Sequence, residues 1–320
     1  MIDKLQEFEN FRNYLRKKGI LETDLPFLLF NNKNKTSILM IHGSEASPCN
    51  TIDLANILYN SGYNILSVLL EGHGLDKSNL YSGKITWLDC YNSVKKYLAF
   101  LKDLSNDIYI LGSSFGGCLT YLLSIEFKEF ISGIITISAP TNSKKDFSGN
   151  NNWAKQIYLS IKEVEKNIND VNTPCLILHS SDDMLVKSDQ ALFGFKNISS
   201  YYKKLILYDN VGHSLGFSFN NNEVANDIDN FIKNNHNLVD VLFKLENNNY
   251  KNVYIAGDFN NWLHNDLKMF LDNNIWKMYI KLKPGKYQYK FIVDNNWILD
   301  PKAEITYTPN GNINSVINVS

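Results

Sequence analysis

The sequence lacks an excess of either charge. Its 32 Lys and Arg residues stand against 33 Asp and Glu residues, which leaves a formal net charge of −1. Such a chain has no long-range attraction for a phosphate backbone or an anionic bilayer, so we expect no nucleic-acid partner. Long apolar runs are missing too. No stretch reaches the roughly 18 to 20 apolar residues that span a membrane, so no span is predicted.

Cysteine is scarce and shows no ligand spacing. The four cysteines are scattered along the chain without the paired spacing of a metal site, at Cys49, Cys90, Cys118 and Cys175. Charges interrupt the apolar positions of the N-terminal stretch MIDKLQEFENFRNYLRKKG, which does not resemble a signal peptide. We therefore expect a cytoplasmic protein with reduced thiols that requires neither a metal nor an organic cofactor.

What the chain does have is enough apolar sequence for a core. It is 320 residues long, with 44% hydrophobic and 20% charged residues, which predicts a folded protein with one large domain or two. Aromatic residues make up 13%. Three of the five tryptophans, Trp262, Trp276 and Trp297, fall in the last quarter, a first indication of two unlike halves.

Two pattern regions follow one another. From Thr36 to about Asn235, short apolar runs such as SILMIH, DIYILG and CLILHS alternate with amphipathic stretches, which predicts βαβ units and a mostly parallel sheet buried on both faces. After Asn237 only strand patterns separated by Asn, Gly and Pro turns remain, which predicts a small all-β sandwich. We place the domains at residues 1–236 and 237–320.

The segment DIYILGSSFGGCLTYLLSIEF predicts a strand, a tight turn and a helix, and its turn reads Gly112-Ser113-Ser114-Phe115-Gly116. A G-x-S-x-G pattern in that context is typical of a nucleophile elbow, which exposes the central hydroxyl at the sheet edge. A second match, Gly212 to Gly216 around Ser214, runs into FSFNNNE instead of a helix. Context therefore selects Ser114 as the candidate nucleophile and makes Ser214 a loop residue.

A serine nucleophile needs a base, and the base needs an orienting carboxylate. The loop after CLILHS supplies Asp182 and Asp183, and the loop after KLILYD supplies His213. Either aspartate could orient the base. The spacing favours Asp182, which leaves Asp183 as a solvated neighbour or a helix cap. The loop ILMIHGSEASP is placed to supply the Ser44 amide, beside that of Phe115, as an oxyanion hole.

Residues 26 to 235 resemble the α/β-hydrolase superfamily in its carboxylesterase and monoacylglycerol-lipase-like branch, through ILMIHGSEASP, LLEGHG, ILGSSFGG, HSSDDMLV and VGHS. The resemblance implies Ser114 as nucleophile, His213 as base and Asp182 as orienter. Relatives usually carry an apolar residue at the Ser44 position, so a more polar acyl pocket is expected here. The stretch in which relatives insert a cap is short, which favours glycan-linked or short acyl esters over a long chain in a tunnel.

The last region places two tryptophans in Asn-rich turns, Trp262 in GDFNNW and Trp297 in DNNW. An indole face matches the C–H face of a sugar ring, so the two could form a sugar platform or could belong to the core. For Trp276, within an alternating strand, we expect a core position.

Residues 239 to 319 resemble the glycogen-binding carbohydrate-binding module of the β subunits of AMP-activated kinases, through AGDFNNW, PGKYQYKFIVDNNW and NGNINSVINV. The resemblance implies that Trp262 and Trp297 stack on glucose rings and that Lys290 and Asn314 bind hydroxyls. The implied ligand is an α-1,4-glucan such as glycogen.

Together these patterns predict a serine esterase tethered to an α-glucan. Three alternatives stay open. An amidase or peptidase would use the same three residues, and a glucan-binding adaptor with an inert hydrolase body would retain the motifs without the activity. A lipid-directed lipase is disfavoured by the short cap.

Overall fold

The computed structural model describes residues 2–143, 147–216 and 221–320. The chain divides into two compact units, Met1–Ile232 and Lys233–Ser320. The first is an α/β layer structure and the second contains antiparallel sheets, which confirms the predicted fold class.

One seven-stranded sheet organises the described part of the first unit. Its strands are β1 (Phe27–Leu29), β2 (Thr36–Ile41), β3 (Asn64–Val68), β4 (Asp107–Ser113), β5 (Gly133–Ile137), β6 (Cys175–Ser180) and β7 (Lys203–Tyr208). The order is β1-β3-β2-β4-β5-β6-β7; β1 pairs antiparallel with β3, and the other neighbours are parallel. The runs SILMIH, DIYILG, CLILHS and KLILYD form β2, β4, β6 and β7. Parallel strands bring their carboxyl ends to one edge.

Helices cover both faces of this sheet. They are α1 (Ile2–Lys17), α2 (Ile52–Asn60), α3 (Ser78–Tyr81), α4 (Trp87–Lys102), α5 (Phe115–Glu126), α6 (Asn152–Asn167), α7 (Ser188–Asn197) and α8 (Asn221–His236). The run of apolar residues in β2 serves two cores, because Leu39 and Ile41 pack with α4 and α5 while Ile38 and Met40 pack with α2 and α8. Within the described ranges no helix is both long and apolar enough to cross a membrane.

The sequence pattern missed α7 and α1 for different reasons. The buried residues of α7 are Ala191 and Gly194, which are too small to produce a periodic apolar signal. In α1, Phe8 is buried in the core that also contains Leu39 and Ile41, whereas Leu5 and Phe11 are exposed. Charged residues lie between these apolar positions and obscure the helical pattern.

The cap region, between the carboxyl end of β5 and the start of β6, is short, as predicted. Its described part contains α6 and one 3₁₀ turn, Ile168–Asp170. Residues 144–146 of this stretch lie outside the described residues, as do residues 217–220, where the sequence predicted a non-helical continuation after Gly216.

The second unit is built from two antiparallel sheets. Its strands are β8 (Val239–Glu246), β9 (Val253–Gly257), β10 (Leu267–Lys268), β11 (Phe270–Asp272), β12 (Ile275–Leu282), β13 (Gly285–Val293), β14 (Asn296–Ile298), β15 (Glu304–Tyr307) and β16 (Ile313–Val319). One sheet has the order β10-β9-β13-β16-β15 with β14 on β13, and the other has the order β11-β12-β8. Phe243 of the second sheet packs edge-on against Tyr289 of the first, with ring centroids 4.9 Å apart, so the core lies between the sheets.

Candidate functional site

Ser114 lies in a sharp turn between β4 and α5, with φ of +50° and ψ of −118°. This backbone conformation is unfavourable for a residue that has a Cβ. The flanking glycines permit it, because a Cβ on Gly112 would collide with Thr120 Oγ1 and one on Gly116 would collide with the Ile41 carbonyl. The chain thus reverses around a half-buried serine, as the nucleophile-elbow pattern predicts.

His213 approaches this serine from the loop after β7. It lies in a 3₁₀ turn, Gly212–Ser214, and its Nε2 is 3.1 Å from Ser114 Oγ. Its side chain is 25% exposed, so the ring is open to solvent on one side. Ser214, the centre of the second G-x-S-x-G pattern, is exposed in the same turn. The structure brings together the predicted serine and histidine, although 99 positions separate them.

The carboxylate next to His213 is Asp183, and the prediction of Asp182 is wrong in this respect. Asp183 Oδ2 is 2.7 Å from His213 Nδ1, and the Asp183 side chain is completely buried. Its other oxygen accepts the amides of Leu185 and Val186, both at 2.9 Å. Asp183 is therefore neither solvated nor the cap of α7, which begins only at Ser188.

Asp182 points the other way and holds the turn that carries the histidine. Its Oδ1 accepts the Ser180 hydroxyl at 2.5 Å and the amides of Val211 and Gly212 at 3.2 and 3.3 Å. The two neighbouring aspartates point to opposite sides of the loop. The backbone turns here, with the Asp183 N–H donating to the Ser180 carbonyl, and Asp183 is the one that points into the protein. No spacing rule on the sequence distinguishes these two outcomes.

The electrostatics of Asp183 keep it ionised. Burial raises the pKa of this carboxyl, but the hydrogen bonds from His213 and from the Val186 and Leu185 amides outweigh burial, and the pKa lies below its ordinary value. The neighbouring His179 ring is buried, which lowers its pKa, and its Nε2 lies 2.7 Å from the Val186 carbonyl oxygen. An ionised carboxylate thus faces His213 Nδ1.

The predicted oxyanion residues both lie next to Ser114. Phe115 is the first residue of α5, so its amide is among the N–H groups that have no acceptor within the helix. The turn containing Ser44 runs alongside, because a Cβ on Gly43 would lie only 3.3 Å from Ser114 Cβ. The Ser44 hydroxyl accepts a hydrogen bond from Trp153 Nε1 at 2.8 Å, a contact that the sequence did not indicate.

Two further histidines of the predicted active-site loops are structural. His42 is buried, lies 2.8 Å from the Gly43 carbonyl oxygen through Nδ1, and accepts the Leu70 amide at Nε2. Burial, with a smaller effect of the neighbouring His73, lowers the pKa of His42 to about 3. Burial also lowers the pKa of His73 to about 4. Both rings are uncharged near neutral pH, and they brace the loops that surround Ser114.

The second unit places the two turn tryptophans side by side. The ring centroids of Trp262 and Trp297 are 6.2 Å apart and their planes are inclined by 36°. Trp297 is 45% exposed and Trp262 is half-buried, so neither is a core residue. Asp258 accepts the Trp262 indole N–H at 3.1 Å and the backbone N–H of Gln288 at 2.7 Å, which fixes one ring to the neighbouring strand.

Lys290 and Asn314 lie on the outer face of the same sheet. On β13, Tyr289 and Phe291 point into the core, so Lys290 points outward. The strand register pairs Tyr289 with Ser315, so the adjacent residue on β16, Asn314, lies on the same side as Lys290. Trp297 pairs with Ile292, two positions after Lys290. The Asn314 amide donates to Gln288 Oε1 at 3.0 Å. Sequence reasoning missed Gln288, although its position two residues before Lys290 was an available signal.

Trp276 has the core position predicted for it. It is only 7% exposed, and its indole N–H donates to Asn247 Oδ1 at 3.2 Å.

Comparisons with known proteins found matches in both parts of the chain. Residues 239–320 match the family model for the glycogen recognition site of AMP-activated protein kinase, and residues 146–218 match the model for serine aminopeptidase S33. The β-1 subunit of 5′-AMP-activated protein kinase from Sus scrofa is 36% identical over 69 residues, which cover 22% of this chain and 55% of the pig protein. The human β-1 subunit is 38% identical over 69 residues, 25% of its length. The chain thus spans about half, or less, of these relatives.

Solved structures match the first unit. A metagenome-derived lipolytic enzyme aligns with a TM-score of 0.62 and 19% identity, over 67% of this chain and 99% of its own. Est1E from Butyrivibrio proteoclasticus, with ferulic acid bound, has a TM-score of 0.54 and 18% identity over 66% and 94%. A monoglyceride lipase variant from Saccharomyces cerevisiae has a TM-score of 0.56 and 17% identity over 66% and 90%.

Both family resemblances stated from the sequence are confirmed. The first unit of this chain has the α/β-hydrolase fold, and its C-terminal region is similar to the glycogen recognition site of AMP-activated protein kinase.

Proposed function

We propose that this protein is a serine hydrolase that cleaves carboxylic esters through an acyl-enzyme and is held on an α-glucan by its C-terminal module. One observation carries the proposal: Ser114 Oγ lies 3.1 Å from His213 Nε2, and His213 Nδ1 lies 2.7 Å from a buried carboxylate, Asp183. A nucleophile, a base and an orienting group in contact are the parts that acyl transfer requires.

The reaction begins when His213 Nε2 takes the proton of Ser114 as Oγ attacks the ester carbonyl. Asp183 accepts the Nδ1–H throughout, which keeps Nε2 free to act as a base and stabilises the imidazolium that forms. His213 then gives its proton to the departing alcohol. A water molecule attacks the acyl-enzyme in the same way, and the acid and the serine hydroxyl are released.

The carbonyl oxygen becomes negative in each step and needs hydrogen-bond donors. We assign this role to the amides of Phe115 and Ser44. Phe115 begins α5, so the partial positive charge of the helix N-terminus adds to its effect.

The C-terminal module supplies the substrate context. We propose that Trp262 and Trp297 stack on glucose rings and that Lys290 and Asn314, with Gln288, bind hydroxyl groups. Binding to a polymer raises the local concentration of any ester carried on it. Acylated α-glucan, or material stored with it, is therefore the preferred substrate class, in keeping with the short cap.

The proposal assigns residues 1–236 to the hydrolase and residues 237–320 to the glucan-binding domain. It also places the protein in the cytoplasm, because Cys90, Cys118 and Cys175 are buried free thiols, which suit a reducing compartment.

An amidase or peptidase is the second candidate, and a specific observation favours it: the match of residues 146–218 to the serine aminopeptidase model. A p-nitrophenyl ester and the matching p-nitroanilide distinguish the two. Because a serine amidase also hydrolyses an activated ester, the anilide decides: ester turnover with an anilide rate no higher than that of Ser114→Ala supports the esterase, and clear anilide turnover by the wild-type protein overturns it in favour of the amidase.

The nucleophile is tested by labelling with a fluorophosphonate probe. The wild-type protein should form one covalent adduct, which Ser114→Ala should abolish. Ser214→Ala is the matched control, because it alters the other G-x-S-x-G serine and should leave labelling unchanged. A folded wild-type protein that neither labels nor turns over esters would reduce the chain to a glucan-binding adaptor.

A further inference from the structure

We propose that Trp153, on α6, is a positioning residue that aims the oxyanion turn, residues 43–45, at the reacting carbonyl. The inference rests on the proposed function. It assigns to the cap helix a task in catalysis besides covering the site.

Trp153 contacts both residues whose amides would bind the oxyanion. Its indole Nε1 donates to Ser44 Oγ at 2.8 Å. Its ring meets the Phe115 ring edge-on, with centroids 5.4 Å apart and planes at 76°. The indole is 1% exposed, so it has one fixed position between the turn and the start of α5.

The same turn is held from a second side. Glu45 has φ of +55° and accepts the Tyr81 hydroxyl at 2.5 Å and the Lys77 ammonium group at 2.9 Å. Asn152, the neighbour of Trp153 in the chain, donates to the Tyr81 carbonyl at 3.3 Å. The first turn of α6 therefore contacts the Ser44 hydroxyl directly and reaches Glu45 through Tyr81.

An amide donor contributes to catalysis only if it is held in place before the charge develops. The Ser44 amide belongs to a turn, which has no ladder of hydrogen bonds to hold it, whereas the Phe115 amide is fixed by α5. The hydrogen bond from the Trp153 indole to the Ser44 hydroxyl holds this turn in place instead. Loss of a whole oxyanion donor costs about 10²- to 10³-fold in kcat. Loosening one should cost less, about 10-fold, with KM within about twofold because the ground-state substrate does not use it.

Four variants test this on p-nitrophenyl acetate. Trp153→Phe keeps the ring and removes the donor, Ser44→Ala removes the acceptor, and the double variant removes both. Each should lower kcat by about 10-fold. The kcat of the double variant should be no lower than that of either single variant, because all three variants break the same hydrogen bond. Trp276→Phe is the matched control: it removes a buried indole donor from the other unit and should leave kcat unchanged.

A trifluoromethyl ketone, which forms a tetrahedral oxyanion on the serine, supplies a readout that a general loss of packing would not produce. Its inhibition constant should rise in Trp153→Phe by the same factor as kcat/KM falls. Three results would overturn the inference: an unchanged kcat in Trp153→Phe, losses in kcat that multiply in the double variant, or an unchanged inhibition constant. A wild-type protein without labelling or turnover would overturn the proposed function and this inference together.

Discussion

Replacing Asp183 by asparagine should reduce kcat on p-nitrophenyl acetate by about 10⁴-fold, the size of effect known for this change in a Ser-His-Asp triad. The structure supplies the reason. Oδ1 of Asp183 accepts the Leu185 and Val186 amides, both at 2.9 Å, and backbone donors cannot turn away. The carbonyl oxygen of the new asparagine must stay with them, so its NH₂ group faces His213 Nδ1. The ring then carries its proton on Nε2 and cannot take one from Ser114.

Asp182→Asn is the matched control, because it makes the same change one residue earlier. Asp182 accepts the Ser180 hydroxyl and the Val211 and Gly212 amides, so its loss should only loosen the turn that carries His213. We expect a reduction in kcat of less than about tenfold. Kinetics and fluorophosphonate labelling rates should be measured on proteins whose folding is verified by circular dichroism. Equal losses in the two variants, or a larger loss in Asp182→Asn, would refute the assignment.

The remaining predictions concern binding and stability. Replacing Trp262 and Trp297 together by alanine should abolish retention on glycogen with little change in melting temperature, and cellulose should not retain the wild-type protein; retention that survives would place the site elsewhere. The free energy of unfolding should fall as the pH drops below about 4, the ordinary range of Asp. The pKa of Asp183 is lower in the folded protein, so its contribution to stability is present above the unfolded-state pKa and is lost on acidification through the folded-state pKa. Urea titrations at several pH values measure the free energy of unfolding. If that free energy fell as steeply with pH in Asp183→Asn as in the wild-type protein, this assignment would be contradicted. Gly112→Ala should cost about 1–3 kcal/mol because its Cβ meets Thr120. Gly62→Ala is the control: at φ of +100° with no atom within 4 Å, it should cost only about 1–2 kcal/mol of backbone strain. Thermal unfolding measures both losses, and a larger loss in Gly62→Ala than in Gly112→Ala would show that no collision occurs at Gly112.

The sheet of the first unit could be predicted because each inner strand is buried on both faces, which leaves an uninterrupted apolar run in the sequence. The elbow at Ser114 was also visible, because it needs glycines at fixed offsets. Helix α7 was not, since Ala191 and Gly194 pack through their small size.

The choice between Asp182 and Asp183 illustrates where sequence reasoning ends. Both follow β6, both are acceptable orienting groups, and only the path of the loop decides which one enters the protein. Trp153 illustrates the other limit. Its contact with Ser44 joins residues 109 positions apart, and the residue lies on a helix that the sequence assigns only to the cap.

For the proposed stacking on glucose, the 36° inclination between the Trp262 and Trp297 rings predicts a selectivity for the linkage of the polysaccharide. A polysaccharide can lie flat on both planes only if it changes direction between the two contacts. Glucose units joined by α-1,4 bonds coil and meet this requirement, whereas those joined by β-1,4 bonds form a straight ribbon that can lie flat on one ring at a time. Two polymers of one sugar would thus be separated by the curvature of their chains.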